Sequence, residues 1–204
     1  WQLQKERKTV QGEIENALKV ISGTKTRIPV YGAGRTDAGV HAYGQVAHFD
    51  LNTKLNNAEL CNVINSKTSK ECNIMSVAET GSDFEARFNA IKRYYRYQVY
   101  TGSSILYRNQ AWLINDINID LLKSLSKIIL GEHDFLSFSK FNPNKSHTKS
   151  IIYDSIWEKD KDMLNYEISG NRFLHHMVRY IVGTMVQVSR GRFKIGRASC
   201  RERV

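Results

Sequence analysis

Two runs that read as strands, Ile151 to Glu158 and the alternating Leu164 to Ser169, are joined by the charged turn Lys159-Asp-Lys-Asp162. Strands joined by so short a turn must lie side by side and antiparallel, because a parallel return needs a long crossover. A third run, Arg93 to Tyr100, also alternates: Tyr95, Tyr97 and Val99 point one way, and Tyr94, Arg96, Gln98 and Tyr100 the other. Just after the hairpin the period changes. Leu174, Met177, Val178, Ile181, Val182, Met185 and Val186 recur at helical spacing, which predicts a helix from about Arg172 to Val188.

Two more helices are expected. Val10, Ile14, Ala17, Leu18 and Ile21 fall on one face, with Gly23 as the stop. Asp120 is placed to N-cap a helix that buries Leu121, Leu122, Leu125, Ile128 and Ile129 before Gly131 ends it. Short strands are predicted at residues 28–31 and 46–51, flanking a glycine-rich loop. A short helix is predicted around Leu60 to Ile64 in an otherwise polar stretch. Strands that pair locally and outnumber helices give an α+β class with a mostly antiparallel sheet and helices on one face. The expected division is 1–101, carrying the glycine-rich loop and the tyrosine strand, then 102–194, carrying the long basic helix. Residues 195–204 resemble the in-frame translation of a sequencing-library adapter and are set aside. The chain opens on Trp1 and reads as truncated at both ends.

Thirty Lys and Arg against twenty Asp and Glu give a net charge of +10 in 204 residues, a balance suited to a polyanionic partner. No apolar run is long enough to span a bilayer, so no membrane partner is expected, and the compartment expected is the cytoplasm. Scattered cysteines fit a reducing compartment without a disulfide framework.

The chemistry concentrates in Gly34-Arg-Thr-Asp-Ala-Gly-Val-His-Ala42. Asp37 stands between a cation and a glycine in a loop leaving a strand, an environment that keeps a carboxylate ionised and lets a ligand approach. It is therefore placed as a nucleophile or general base. The loop is not a phosphate cradle: it lacks the Gly-Lys-Ser/Thr ending, and Asp37 stands where a dinucleotide fingerprint has its third glycine. Arg172, His175 and Arg179 form a polar stripe on the predicted long helix, and Arg87, Lys92, Arg93 and Arg96 flank the tyrosine strand; these are the candidate phosphate contacts. His41, His48, His175 and His176 have no carboxylate or cysteine at ligand spacing, so no metal and no cofactor are expected.

The nine-residue stretch resembles the signature of the TruA-type tRNA pseudouridine synthases at every position. The resemblance continues in order through Trp1-Gln2 with Thr9-Val-Gln11, Asp83-Phe84 with Ala86-Arg-Phe88, Arg93-Tyr-Tyr-Arg-Tyr97, Gly131-Glu-His-Asp-Phe-Leu-Ser-Phe138, and Gly170-Asn171 through Gly183. It implies the pseudouridine synthase fold with a central basic RNA-binding cleft. It also implies isomerisation of uridine in the anticodon stem-loop of tRNA, at positions 38 to 40, by a homodimer. By the same resemblance Asp37 attacks the target nucleotide, and Arg35 fills the space the flipped nucleotide leaves. Tyr95 stacks on the uracil and takes part in proton removal, while Arg179 pairs with Asp37. The rival readings are a non-catalytic RNA-binding or RNA-folding module and a metal-dependent hydrolase built on the histidines.

Overall fold

The computed structural model describes residues 1–140 and 147–193. The chain forms two compact units, Trp1–Ala90 and Ile91–Val204. The tail set aside at 195–204 lies outside the described residues.

In the first unit, helix α1 spans Val10–Ser22. Thr9 caps it by accepting from Gly12 N–H, and Gly23, at φ +66°, closes it in the left-handed conformation that glycine adopts without strain. Its face of Ile14, Ala17 and Leu18 packs with Leu60 and Ile64 of helix α2, Asn57–Lys67. That helix is twice the expected length. Asn56 and Glu59 form a reciprocal capping box that starts it well ahead of its two buried residues. The predicted strands shrink to β1, Tyr31–Gly32, and β2, Ala47–His48, an antiparallel pair. Upstream of β1 the backbone of Val30 bonds to side chains of α1 instead of to a strand, which ends the ladder there.

The second unit is a five-stranded sheet in the order β4-β3-β7-β6-β5. Its strands are β3 (Arg93–Tyr100), β4 (Trp112–Leu113), β5 (Gly131–Asp134), β6 (Lys149–Asp160) and β7 (Met163–Gly170). All pairings are antiparallel except β3 with β4. The expected hairpin is present with a tighter turn: Lys159 and Asp160 still pair with Leu164 and Met163, leaving only Lys161 and Asp162 to reverse the chain.

The register puts Tyr95, Tyr97 and Val99 beside Ile168, Tyr166 and Leu164, and these beside Ser155 and Trp157. That face is the core, covered by helices α3 (Ile119–Ile128) and α4 (Met177–Ser189) through Leu122, Met177, Ile181 and Met185. The opposite face carries exposed Tyr94 and Ile156 and an Arg96–Glu167 ion pair. Helices thus pack on one face of this sheet, as the alternation requires. Two helix starts differ from expectation. Asn118, not Asp120, caps α3 by accepting from Leu121 N–H. Helix α4 begins at Met177, because His176 sits at φ +64° and breaks the helical path before it. Among the described residues, no helix is long and apolar enough to cross a membrane.

Candidate active site

Helix α1 holds the entrance to the Asp37 loop. Gln11 and Glu15, one helical turn apart, grip both sides of Val30: Glu15 Oε1 accepts its N–H at 3.1 Å, and Gln11 Nε2 donates to its carbonyl at 3.0 Å. Arg27 completes the cluster with two contacts of 2.7 Å to Glu15. Burial works against the charge on Glu15, but Arg27, Val30 N–H and Gln11 together outweigh it and hold the carboxyl below its ordinary range. Two residues on, a Cβ on Gly32 would lie 2.7 Å from the Trp1 indole, so the close approach of that ring requires glycine.

The loop is then tied across its neck. Ala33 N–H donates to Val46 O at 2.8 Å, and Gln45 Nε2 donates to Gly34 O at 2.7 Å. Trp1 N donates to Thr36 O at 3.1 Å. Asp37 itself opens a β-turn in which Val40 N–H returns to its carbonyl at 3.2 Å. Gly39, the third residue of that turn, has φ +78°, which accounts for the glycine in Asp-Ala-Gly-Val. Asp37 is half-buried and Arg35 is exposed. The backbone around the carboxylate is thus fixed by four contacts of three different kinds.

Arg87 belongs to the same unit. His48 Nδ1 accepts Ala86 N–H at 3.0 Å, and the imidazole stacks on Tyr31 at 5.2 Å, so β2 positions the turn bearing Arg87. The Arg87 guanidinium lies 5.4 Å from the centre of the Phe88 ring. His48 is therefore a structural acceptor, a role the sequence does not reveal.

In the second unit the structure gathers Arg93, Tyr95 and Tyr97 on the helix-covered face of β3. The Tyr95 ring meets Phe173 edge-to-face at 5.1 Å. Arg93 Nη1 donates to Asn171 O at 2.7 Å, and Asn171 Oδ1 accepts Ile151 N–H at 2.9 Å. Burial pushes the Tyr97 hydroxyl up, and the charge of Arg179 partly opposes this, which places Arg179 in range of the same face. The Gly170-Asn-Arg-Phe segment is thus the brace of the tyrosine strand, a part the motif order could have suggested and residue types alone could not.

Two sequence expectations change here. Arg172, His175 and Arg179 do not form one helical stripe, because Arg172 and His175 precede α4. Arg172 approaches His147 Nδ1 at 3.4 Å, and His175 stacks on His176 at 3.9 Å while its carbonyl accepts Lys140 N–H. Arg96 points to the opposite face from Tyr95 and is engaged by Glu167 at 2.9 and 2.6 Å; Lys92 likewise meets Asp154 at 2.8 Å. Both cations already have a carboxylate partner on the exposed side of the sheet.

A family model described as tRNA pseudouridine synthase matches residues 1–89 and 125–199, running into the segment that resembles an adapter. The chain is similar to tRNA pseudouridine synthase A of Ehrlichia chaffeensis, 42% identical over 199 residues that cover 95% of this chain and 80% of that protein. It is 36% identical to the protein of the same name from Thermoanaerobacter sp. (strain X514) over 197 residues, 95% of this chain and 80% of the other. With that of Bacillus subtilis (strain 168) the identity is 35% over 195 residues, 94% of this chain and 79% of the other.

Proposed function

Because the chain belongs to the tRNA pseudouridine synthase family, whose members are isomerases, we propose that it converts uridine to pseudouridine in tRNA with Asp37 as the nucleophile. The observation that carries this reading is the pinned loop. A half-buried carboxylate sits on a backbone fixed at Ala33, Gly34, Thr36 and Val40, inside a nine-residue motif with no departure from the family signature. Preorganisation of this kind is what a nucleophile needs, since a loose carboxylate would lose its alignment with the sugar or base.

The reaction balances without a cofactor. Asp37 attacks the target nucleotide, the C1′–N1 bond breaks and the freed uracil rotates. A C1′–C5 bond then forms as the bond to Asp37 breaks, the proton on C5 leaves, and N1 takes up a proton, so no atom or electron is gained or lost. A paired base is out of reach, so the nucleotide has to be extruded and its stacking replaced. Tyr95, fixed by Phe173, is assigned to stack on the uracil and to assist removal of the C5 proton. Arg35 takes the space of the extruded nucleotide, and Arg179 is assigned to pair with the catalytic carboxylate and orient it. Arg87, Arg93, Arg172 and His175 are assigned to the RNA backbone; Arg96 joins them only by exchanging Glu167 for a phosphate. The anticodon stem-loop at positions 38 to 40, a homodimeric assembly and a cytoplasmic location complete the reading, each resting on the family resemblance.

The test is tritium release from tRNA transcribed with C5-labelled uridine. The wild-type protein should release label at the target uridine and Asp37→Ala should release none. Equal release by both proteins would defeat the assignment. Binding of tRNA without release by the wild type would favour an RNA-folding module, and stoichiometric zinc in the purified protein would reopen the hydrolase reading.

A further inference from the structure

We propose that the cavity at the far end of β3 in the second unit is a nucleotide subsite, distinct from the end that carries Tyr95. The proposal rests on the reading that Tyr95 meets the target uridine. The cavity has a volume of about 550 Å³ and is lined by Trp112, Asn115, Asp116, Gln187, Arg190 and Arg192, among others. That volume lies within the range of small-molecule sites, roughly 300–1,000 Å³.

The lining supplies the three things a nucleotide asks for. The half-buried Trp112 indole offers an aromatic surface for a base, and stacking on it tolerates any base identity. Arg190 and Arg192 offer guanidiniums for a phosphate, and among the described residues neither is in an ion pair. Gln187 Oε1 accepts from Arg192 Nη1 at 3.3 Å, orienting one of the two. Asn115 and Asp116, both exposed on the rim, present amide and carboxylate groups to a base edge. Arginines at a helix C-terminus are favoured by the helix dipole alone and Trp112 packs against the core, but neither role accounts for the open cavity that Trp112, Arg190 and Arg192 line together.

Position supports the assignment. Trp112 pairs with Val99, four residues along β3 from Tyr95, a separation of about 13 Å. A stacked strand advances ~3.4 Å per nucleotide, so the subsite would take a residue some four nucleotides from the target. Helix α4 spans a similar interval, with Arg179 in its first turn and Arg190 as its C-cap.

The experiment pairs Arg190→Gln/Arg192→Gln with Trp112→Phe and measures tRNA binding by fluorescence anisotropy over a range of salt, together with tritium release. The double variant should bind about tenfold more weakly at 0.1 M salt. Its slope of log Kd against log salt should fall by roughly 0.7–0.9 for the phosphate contact removed. KM should rise by the same factor with kcat within twofold. Trp112→Phe keeps an aromatic face for the base, whereas Trp112→Ala removes it and should weaken binding about fivefold or more, and wild-type binding by Trp112→Ala would overturn the subsite. An unchanged Kd and slope would overturn the proposal, as would a fall in kcat at unchanged KM, which would mean damage transmitted to Tyr95. Should the double variant fail to fold, the exposed Arg192→Gln alone must still lower the slope. If the wild type binds tRNA without releasing label, the Tyr95 reading fails while the salt slopes still decide the subsite.

Discussion

Glu15 is only 5% exposed, yet nothing in the proposed chemistry uses it, so its removal isolates what holds the catalytic loop in place. In Glu15→Ala the buried Val30 N–H loses its acceptor, a penalty of about 1–3 kcal/mol. The Arg27 side chain is 55% exposed, so the lost ion pair is screened by solvent and adds little. The alanine variant should therefore lose about 2–3 kcal/mol, whereas Glu15→Gln keeps an acceptor for Val30 and should lose about 1 kcal/mol. At a urea dependence of about 2 kcal/mol per molar, the alanine change moves the unfolding midpoint by roughly 1 M. Amide exchange at Val30 is the local readout and should accelerate in both variants. The carboxyl titrates below its ordinary 4.5 in the folded chain, so its stabilisation is complete above that pH and fades as the pH falls through the lowered folded value. Wild type should therefore lose stability more steeply than Glu15→Gln on acidification. Midpoints within 0.2 M of wild type for Glu15→Ala, or identical acid limbs, would refute the clamp.

Gly170 faces the carbonyl of Ile151, and an added Cβ would lie 2.7 Å from that backbone oxygen. Gly170→Ala should cost about 1–3 kcal/mol in thermal unfolding, and an unaffected melting temperature would show that the β6–β7 bulge can yield. Asn56→Ala removes the reciprocal cap of α2 and should cost about 1 kcal/mol, read as a loss of helical signal on mild heating. Tyr95→Phe keeps the ring against Phe173 but not the hydroxyl. Binding of tRNA should stay within a few-fold while single-turnover product formation slows, and full-speed turnover would remove Tyr95 from the proton transfer.

Where side-chain pattern and backbone need coincide, the sequence predicts the element. The β6–β7 hairpin is visible because two apolar-rich runs, the second alternating, flank a charged turn, and α1 because the apolar spacing and Gly23 agree. Strand β5 carries no such pattern. Its four residues are all exposed, and only pairing with β6 makes them a strand. Helix α2 is under-read for a related reason: two buried residues in eleven give too narrow a stripe, and the Asn56–Glu59 box is the signal that extends it. In the loop, the glycines and Asp37 are readable as chemistry, but the contacts that pin them are not. Gln11, Glu15, Gln45 and His48 are ordinary polar residues until the fold gives each a backbone group to hold.

The start of α4 shows how one backbone angle redistributes function. A helix from residue 172 would align Arg172, His175 and Arg179 on one side, two guanidiniums and an imidazole facing one strip of phosphate. Left-handed His176 prevents this, and no glycine or proline marks the break. The turn it creates lets Leu174 fall into the core and Phe173 reach the Tyr95 ring, while Asn171 receives Arg93. A continuous helix would point those side chains around a cylinder instead of down onto β3. The segment before α4 therefore works first as the brace of the tyrosine strand. Any contact it makes with RNA is made by a turn already committed to that brace, so substitutions at Arg172 or His175 should be read against Phe173 and Asn171 before they are credited to phosphate binding.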